Sequence, residues 1–338
     1  MGRTMMVVDS ILQMAGRMTA PTGAQARLPV VFYHRVLLQP DPLLPDTPDI
    51  RLFEIHMKTL SRIFRIVSLE EGVAALRDRR LPSRAVCVTF DDGYRDNYEI
   101  ALPVMKEHGV TATFFVASGF LGGGRLFVDT VIESIRRLRA GPVDLGWFGL
   151  GMQSVHDMPS RLALIDRLVA DIKYRRLDSR EEACERIARL SGEPLPDDLM
   201  MSPEQLRAMH RGGMSVGGHT VDHPILNVLH PEDAQRQIAD DRAAIAAIID
   251  TPPSFFAYPN GRIHRDFDAS HVAQVREAGY TGAVTTDVGC ASSSSDPFLL
   301  PRQSPWQQTS LRLAAGIARS MHSKSDGRQP GAFTPASA

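Results

Sequence analysis

Residues 85–90, Ala-Val-Cys-Val-Thr-Phe, form a charge-free, β-branched run that stops abruptly at Asp91-Asp92-Gly93. Such a run has no polar alternation, so it reads as a strand buried on both faces, the habit of a parallel sheet covered by helices. The next segment, 101–109 (ALPVMKEHG), has helical composition and is stopped by Gly109, and 111–118 (TATFFVAS) returns to strand character. Strand, helix and strand at this spacing predict βαβ units and therefore a parallel sheet or barrel. Side chains at the C-terminal ends of such strands converge on one face, where catalytic groups gather.

The same alternation extends through most of the chain. Residues 28–34 (LPVVFYH) read as a buried strand that places His34 where strand becomes loop, and a Pro-rich loop follows from Pro40 to Pro48. Phe53, Met57, Leu60 and Phe64 keep helical spacing, IVSL is strand-like, and EEGVAALRDRR predicts a helix ending before Pro82. From about 122 to 203 the sequence turns charged and helix-forming, which predicts a helical insertion. The α/β pattern resumes with MSVGGH, the helix PEDAQRQIADDRAAIAAIID, strand-like SFFAYP, the helix HVAQVREAG and the strand AVTT. The domain is expected over 28–320, after a helical segment at 1–27 and before a Ser-, Gly- and Pro-rich tail at 321–338 expected to be disordered.

Composition bounds the function. A hydrophobic fraction of 43% supports a sizeable core, and a formal net charge of -1 supplies no positive field to gather phosphate backbones, so nucleic acid is not expected as a partner. Three separated cysteines, Cys87, Cys184 and Cys290, form neither a disulfide framework nor a metal knuckle and fit a reducing compartment. The apolar stretch near the N-terminus is broken by Asp9 and Gln13 and is too short and polar for a signal-peptide core or a membrane span. A cytoplasmic protein is expected, with peripheral membrane contact as a second use of that segment.

Two clusters carry chemistry. Asp91 and Asp92 put adjacent carboxylates on opposite sides of the chain at the end of a buried strand; a turn or helix cap is the ordinary use of Asp-Asp-Gly. His219-Thr220-Val221-Asp222-His223 follows a second strand and would aim both imidazoles at one point if a helical turn follows. Two histidines and a carboxylate with open positions make a common catalytic metal site, and Asp92 would complete that set.

TFDDG at 89–93 and HTVDH at 219–223, together with VVFYHRV at 30–36, TATFFVASGF at 111–120 and FAYPNG at 256–261, resemble the NodB-homology polysaccharide deacetylases, carbohydrate esterase family four. The resemblance spans most of residues 28–305 apart from the insertion. It implies a distorted (β/α) barrel, often seven-stranded, with a divalent metal held by Asp92, His219 and His223 and with Asp91 as catalytic base. Zinc suits such a donor set, with Co²⁺, Ni²⁺, Mn²⁺ or Fe²⁺ as substitutes. The implied activity is removal of acetyl groups from an N-acetylated carbohydrate, and the Asn260 N–H aligns with the family's backbone donor to the developing oxyanion.

The chain also departs from the family pattern. Ala257 stands where an Arg orients the base, and LLPRQSP at 299–305 lacks the late His that serves as general acid. In a branch acting on exopolysaccharide N-acetylglucosamine, a Tyr-His at the first strand takes the acid's place, and His34 matches it; a capping or core histidine is the plain alternative. Arg262 and Arg302 are both candidates for the missing Arg, and Tyr258 and Pro259 are expected to support the substrate site. His56, His108, His210 and His230 sit singly on predicted helices or loops and are expected at the surface. Two competing readings are a serine hydrolase using Ser215 in Gly213-Met214-Ser215-Val216-Gly217, and a catalytically silent carbohydrate-binding protein.

Overall fold

The computed structural model describes residues 21–322. Strands β1 (Arg27–Leu28), β2 (Val30–Tyr33), β3 (Arg65–Ile66), β4 (Ala85–Phe90) and β5 (Thr113–Val116) precede the insertion, which carries β6 (Gly141–Leu145) and β7 (Gly151–Val155). After it come β8 (Ser215–Gly218), β9 (Phe255–Ala257), β10 (Gly282–Val288), β11 (Ala291–Ser292) and β12 (Leu300–Arg302). The main sheet runs β2, β4, β5, β8, β9, β10, β12, with β3 paired to the start of β4. Every neighbouring pair in it is parallel.

The two edges of this sheet meet. Gln303, just past β12, forms a parallel bridge with Val31, exchanging Phe32 N–H to Gln303 carbonyl at 3.2 Å and Gln303 N–H to Val30 carbonyl at 2.9 Å. Seven strands therefore close into a barrel, as the resemblance implied. Because successive side chains along a strand point to opposite faces, one set fills the barrel: Val30, Cys87, Phe115, Ala257, Val284 and Leu300 pack as one cluster. The other set, including Val31, Val88, Phe90 and Phe114, packs outward against helices such as Ile50–Ile63 through Phe53, Met57 and Leu60.

The helices form where sequence signals place them. Pro231–Ile249 begins with Pro at its first turn, carries Glu232 and Asp233 there, and ends at Asp250 in left-handed conformation, φ 60°. Ser68 and Glu71 make a reciprocal capping box that starts Leu69–Arg77. The insertion is not purely helical. Its helices Phe127–Arg137, Met158–Ile172 and Leu177–Leu190 pack beside the antiparallel hairpin of β6 and β7, which joins their core through Val143, Leu145 and Val155, and that core includes Val131, Ile135, Leu168 and Ile187. β6 alternates, with Val143 and Leu145 buried and Pro142 and Asp144 exposed, but it is only five residues long and β7 lacks the pattern, so the charged, helix-forming sequence around them dominated the reading.

The outer boundaries also differ from expectation. Residues 21–27 are not helical: a single 3₁₀ turn at Gly23–Gln25 leads into β1, which pairs antiparallel with β11. The rest of the expected N-terminal helical segment, residues 1–20, lies outside the described residues. At the other end the helix Ser310–His322 carries buried Met321 across the expected tail boundary, and the remainder of the tail, 323–338, lies outside the described residues. Among the described residues no helix is long and apolar enough to cross a membrane.

Candidate active site

The site stands at the C-terminal ends of β4, β8, β9 and β12. Along β4, Thr89 and Asp91 share the inward side with Cys87. Asp92 leaves that register by adopting φ 76°, which turns its carboxylate toward the end of β8. Gly93 follows at φ 91°, and a Cβ there would lie 3.1 Å from the Val116 side chain, so the turn requires glycine.

His219 is the first residue past β8. Its backbone N–H donates to Asp241 Oδ2 at 2.9 Å, and its Nδ1 donates to the Ala257 carbonyl at 2.6 Å, leaving Nε2 with a free lone pair toward Asp92. No helical turn brings His223 back to it. Thr220 at φ 67° and His223 at φ 50° are both left-handed, and this coiled loop sets the two rings 4.8 Å apart between centroids. Arg180 from the insertion clamps the loop, donating to the His223 carbonyl at 2.8 Å and to the Asp222 carbonyl. Asp92, Thr220, His223 and Asn260 all hold left-handed φ, and strain of this kind concentrates where a surrounding structure fixes a functional geometry.

The three side chains fit a metal ion. Nε2 of His219 and of His223 lie 3.4 Å and 3.3 Å from Asp92 Oδ1, and the three ligand atoms all fall within 4.8 Å of one another. Zinc bonds of about 2.0–2.1 Å at tetrahedral angles require ligand atoms about 3.3 Å apart. Asp92 Oδ1 is also a buried oxygen with no hydrogen-bond partner, which is costly unless a cation meets it.

Electrostatics sort the protons. Burial works against an ionised Asp92, but His219, His223 and His34 outweigh it and hold the carboxyl far below the usual range. Burial, with His219, Arg180 and His34 adding to it against Asp92, pulls His223 down to about 3. Burial also disfavours a charged His219, yet Asp92 and Asp91 raise its pKa above the ordinary histidine value. A proton on His219 is thus the competitor that a metal must displace. Zinc affinity is expected to fall about tenfold per pH unit below the His219 pKa. Competition with a chromophoric chelator between pH 5.5 and 7.5 checks this, and a flat profile would refute it.

Asp91 has a different partner. Both its oxygens accept from Arg302, Oδ1 from Nη1 and Oδ2 from Nη2, each at 2.7 Å, and both residues are buried. Arg302 also donates from Nε to the Thr285 carbonyl at 2.9 Å and from Nη1 to Thr89 Oγ1 at 3.2 Å, and its guanidinium lies 4.5 Å from the Phe32 ring centroid. Burial alone would raise the Asp91 pKa, but Arg302, followed by His219 and His34, holds it below the usual carboxylate range. Of the two arginines weighed from sequence, Arg302 makes the contact with Asp91. It enters from β12, two strands away from Ala257 on β9.

His34, half-buried, lines the cavity of about 590 Å³ that also contains Asp91, His219, His223, Asn260 and Arg262. Asn260 follows Pro259 on the loop after β9; its side chain donates to Asp266, and its carbonyl accepts from Thr286 Oγ1 at 2.5 Å. Arg262 donates its backbone N–H to Asp266 Oδ2 at 2.9 Å.

Tyr258, expected beside the substrate, is a core residue. It is fully buried, stacks on Phe267 at 3.7 Å and donates to the Phe298 carbonyl at 3.2 Å, so it supports the loop from beneath. Ser215 begins β8, at the end of the barrel opposite His219, and its hydroxyl donates to Glu70 at 3.3 Å, which removes the nucleophile-elbow reading. His56 is not at the surface: fully buried, it bonds the Tyr33 hydroxyl through Nδ1 and the Gln307 carbonyl through Nε2.

Sequence reasoning missed Asp241 and Arg180. Asp241 had a readable signal, since it interrupts the buried stripe Ala234, Ile238, Ile245 and Ile249 with a carboxylate. Arg180 had none. A second cavity of about 340 Å³ adjoins the first through shared Phe32, His34, Val169 and Trp306 and is walled by apolar residues of the insertion, including Ile132, Leu162 and Ile165.

Comparison with known proteins agrees with this architecture. The chain is 23% identical over 283 residues to YxkH of Bacillus subtilis, assigned to the polysaccharide deacetylases, covering 83% of this chain and 72% of the relative. Its fold matches the Streptococcus pyogenes deacetylase PplD, solved with acetate, at TM-score 0.58 and 18% identity over 88% of this chain and 99% of that one. It also matches IcaB of Ammonifex degensii at TM-score 0.56 and 20% identity over 88% and 98%. The polysaccharide deacetylase family model matches residues 78–283, well over half of the sequence, and the chain belongs to that family.

Proposed function

We propose that this deacetylase is a metal-dependent hydrolase that removes N-acetyl groups from an N-acetylated sugar, with N-acetylglucosamine as the reacting unit. The observation that carries the reading is the pairing of two unlike carboxylates. Asp92 faces two imidazoles, while Asp91 beside it is held ionised by Arg302 and remains within the same cavity.

Asp92, His219 and His223 would hold the ion, which when bound lowers the pKa of water and polarises the acetamide carbonyl. Asp91 takes the proton from the attacking water, a role suited to a carboxylate kept ionised and fixed by two parallel hydrogen bonds. The Asn260 N–H serves the developing oxyanion, and His34 supplies the proton that the leaving amine needs. The substrate assigned here is a precursor or carrier-linked glycan of exopolysaccharide or envelope metabolism, handled in the cytoplasm, where the free thiols of Cys87, Cys184 and Cys290 would persist.

Acetate release from N-acetylglucosamine oligomers by zinc-reconstituted protein tests this reading. Release is expected to vanish on chelation and to return with added metal. Equal release with and without chelator would remove the metal from the reaction. Sugar binding without any acetate from metal-loaded protein would favour the silent carbohydrate-binding alternative.

A further inference from the structure

Resting on that reading, we infer that the active-site cavity selects substrates carrying an anionic group, carboxylate or phosphate, on the sugar chain near the acetamide, and that Lys173 and Arg265 read it. The insertion and the barrel meet here. Lys173 and Tyr174 directly follow the insertion helix Met158–Ile172, and Arg262 and Arg265 stand on the loop after β9. Lys173, Arg262 and Arg265 line the same cavity as Asp91, His219 and His223.

The counter-charge nearby is already engaged. Asp266, which favours the charged form of Lys173, accepts from the Tyr174 hydroxyl at 3.0 Å, from the Arg262 backbone N–H at 2.9 Å and from the Asn260 side chain. Arg265 lies over the Tyr174 ring, 5.3 Å from its centroid, which holds that guanidinium at the rim. Lys173 and Arg265 make no ion pair among the described residues and share this region with Asp266 and the exposed Asp166, while Arg262 has Asp287 as a charged neighbour and Asp91 is matched by Arg302. A divalent ion at Asp92 would add further positive charge. Burial, helped by Arg265 and Arg262 and opposed by Asp266, brings the Lys173 ammonium down to about 8, the mark of a cation partly stripped of water. A neutral glycan would leave that state unrelieved, whereas an anion would relieve it.

The test compares acetate release by the zinc-reconstituted full chain from three substrates: a neutral N-acetylglucosamine oligomer, an N-acetylmuramate-containing oligomer and an oligomer bearing a 6-phosphate. The wild type should favour one anionic substrate over the neutral one by about ten- to a hundredfold in kcat/KM. The faster of the two anionic arms identifies carboxylate or phosphate. That ratio should fall about tenfold in Lys173→Met and again in Arg265→Gln, mainly through KM, and be kept by Lys173→Arg. Equal rates on neutral and anionic substrates, or a ratio that survives the Lys173→Met/Arg265→Gln double variant, would overturn the inference. If no substrate releases acetate, the hydrolytic reading fails separately. Binding of N-acetylglucosamine 6-phosphate and N-acetylmuramate to the Asp91→Asn protein then decides the inference: at least tenfold tighter than N-acetylglucosamine supports it, and equal affinity overturns it.

Discussion

Asp91→Asn is expected to keep its metal and lose at least about a thousandfold in kcat, within the range that a positioned general base supplies. The substitution preserves shape and spares the candidate ligands Asp92, His219 and His223, although it leaves the buried Arg302 charge unmatched. His219→Ala should behave differently, losing zinc affinity and turnover together. Metal content by atomic absorption, measured beside acetate release for both variants, separates the two roles. Equal metal loss in Asp91→Asn and His219→Ala would contradict the division between base and ligands.

The second large effect concerns Arg302. Arg302→Met should destabilise the fold by about 3–5 kcal/mol, the usual cost of leaving one partner of a buried ion pair without the other. The sign with pH follows from the direction of the Asp91 shift. Its folded pKa lies below the unfolded value of about 3.9. The pairing therefore contributes fully above that value, and its contribution disappears as pH falls through the folded pKa. Denaturant melts of wild type and variant should thus differ most near neutral pH and converge in acid. Restoring most of the stability with Asp91→Asn/Arg302→Met, where no orphan charge remains, would identify electrostatics as the cause rather than lost packing.

Arg302→Met also has a functional signature. Without the guanidinium, burial raises the Asp91 pKa, so activity at neutral pH should fall and partly recover as pH increases. A variant whose pH profile matches the wild type would show that Arg302 acts on the fold alone. Ala257 offers Asp91 no cation, and Arg302 supplies one. The cation arrives from β12, and the backbone carbonyl of Ala257 independently orients His219.

The insertion acts on the site from outside the barrel. Arg180 holds the two carbonyls that shape the His219–His223 loop, Tyr174 bonds Asp266 beneath Asn260, and Lys173 faces the cavity. A segment with its own core thus contributes both rigidity and charge to a centre built on barrel strands.

How much of this was legible in sequence follows from the range of the interactions involved. The parallel βα pattern was readable because buried strands such as 85–90 and capped helices such as 69–77 are specified by local composition and by residues within one turn of their ends. The grouping of Asp91 and Asp92 with His219 and His223 was readable because each motif is contiguous and sits at a strand's end, while the roles proposed for them came from the family resemblance. The Asp91–Arg302 contact joins residues 211 positions apart, and the choice between Arg302 and Arg262 depends on which one the barrel's closure at Val31 and Gln303 turns inward. Likewise Arg180, Lys173 and the left-handed path from His219 to His223 are decided by packing between the insertion and the barrel. Local sequence determined the elements and the chemistry they carry; tertiary structure decided which buried charge meets which, because that depends on strand closure and chain path rather than on any nearest neighbour in sequence.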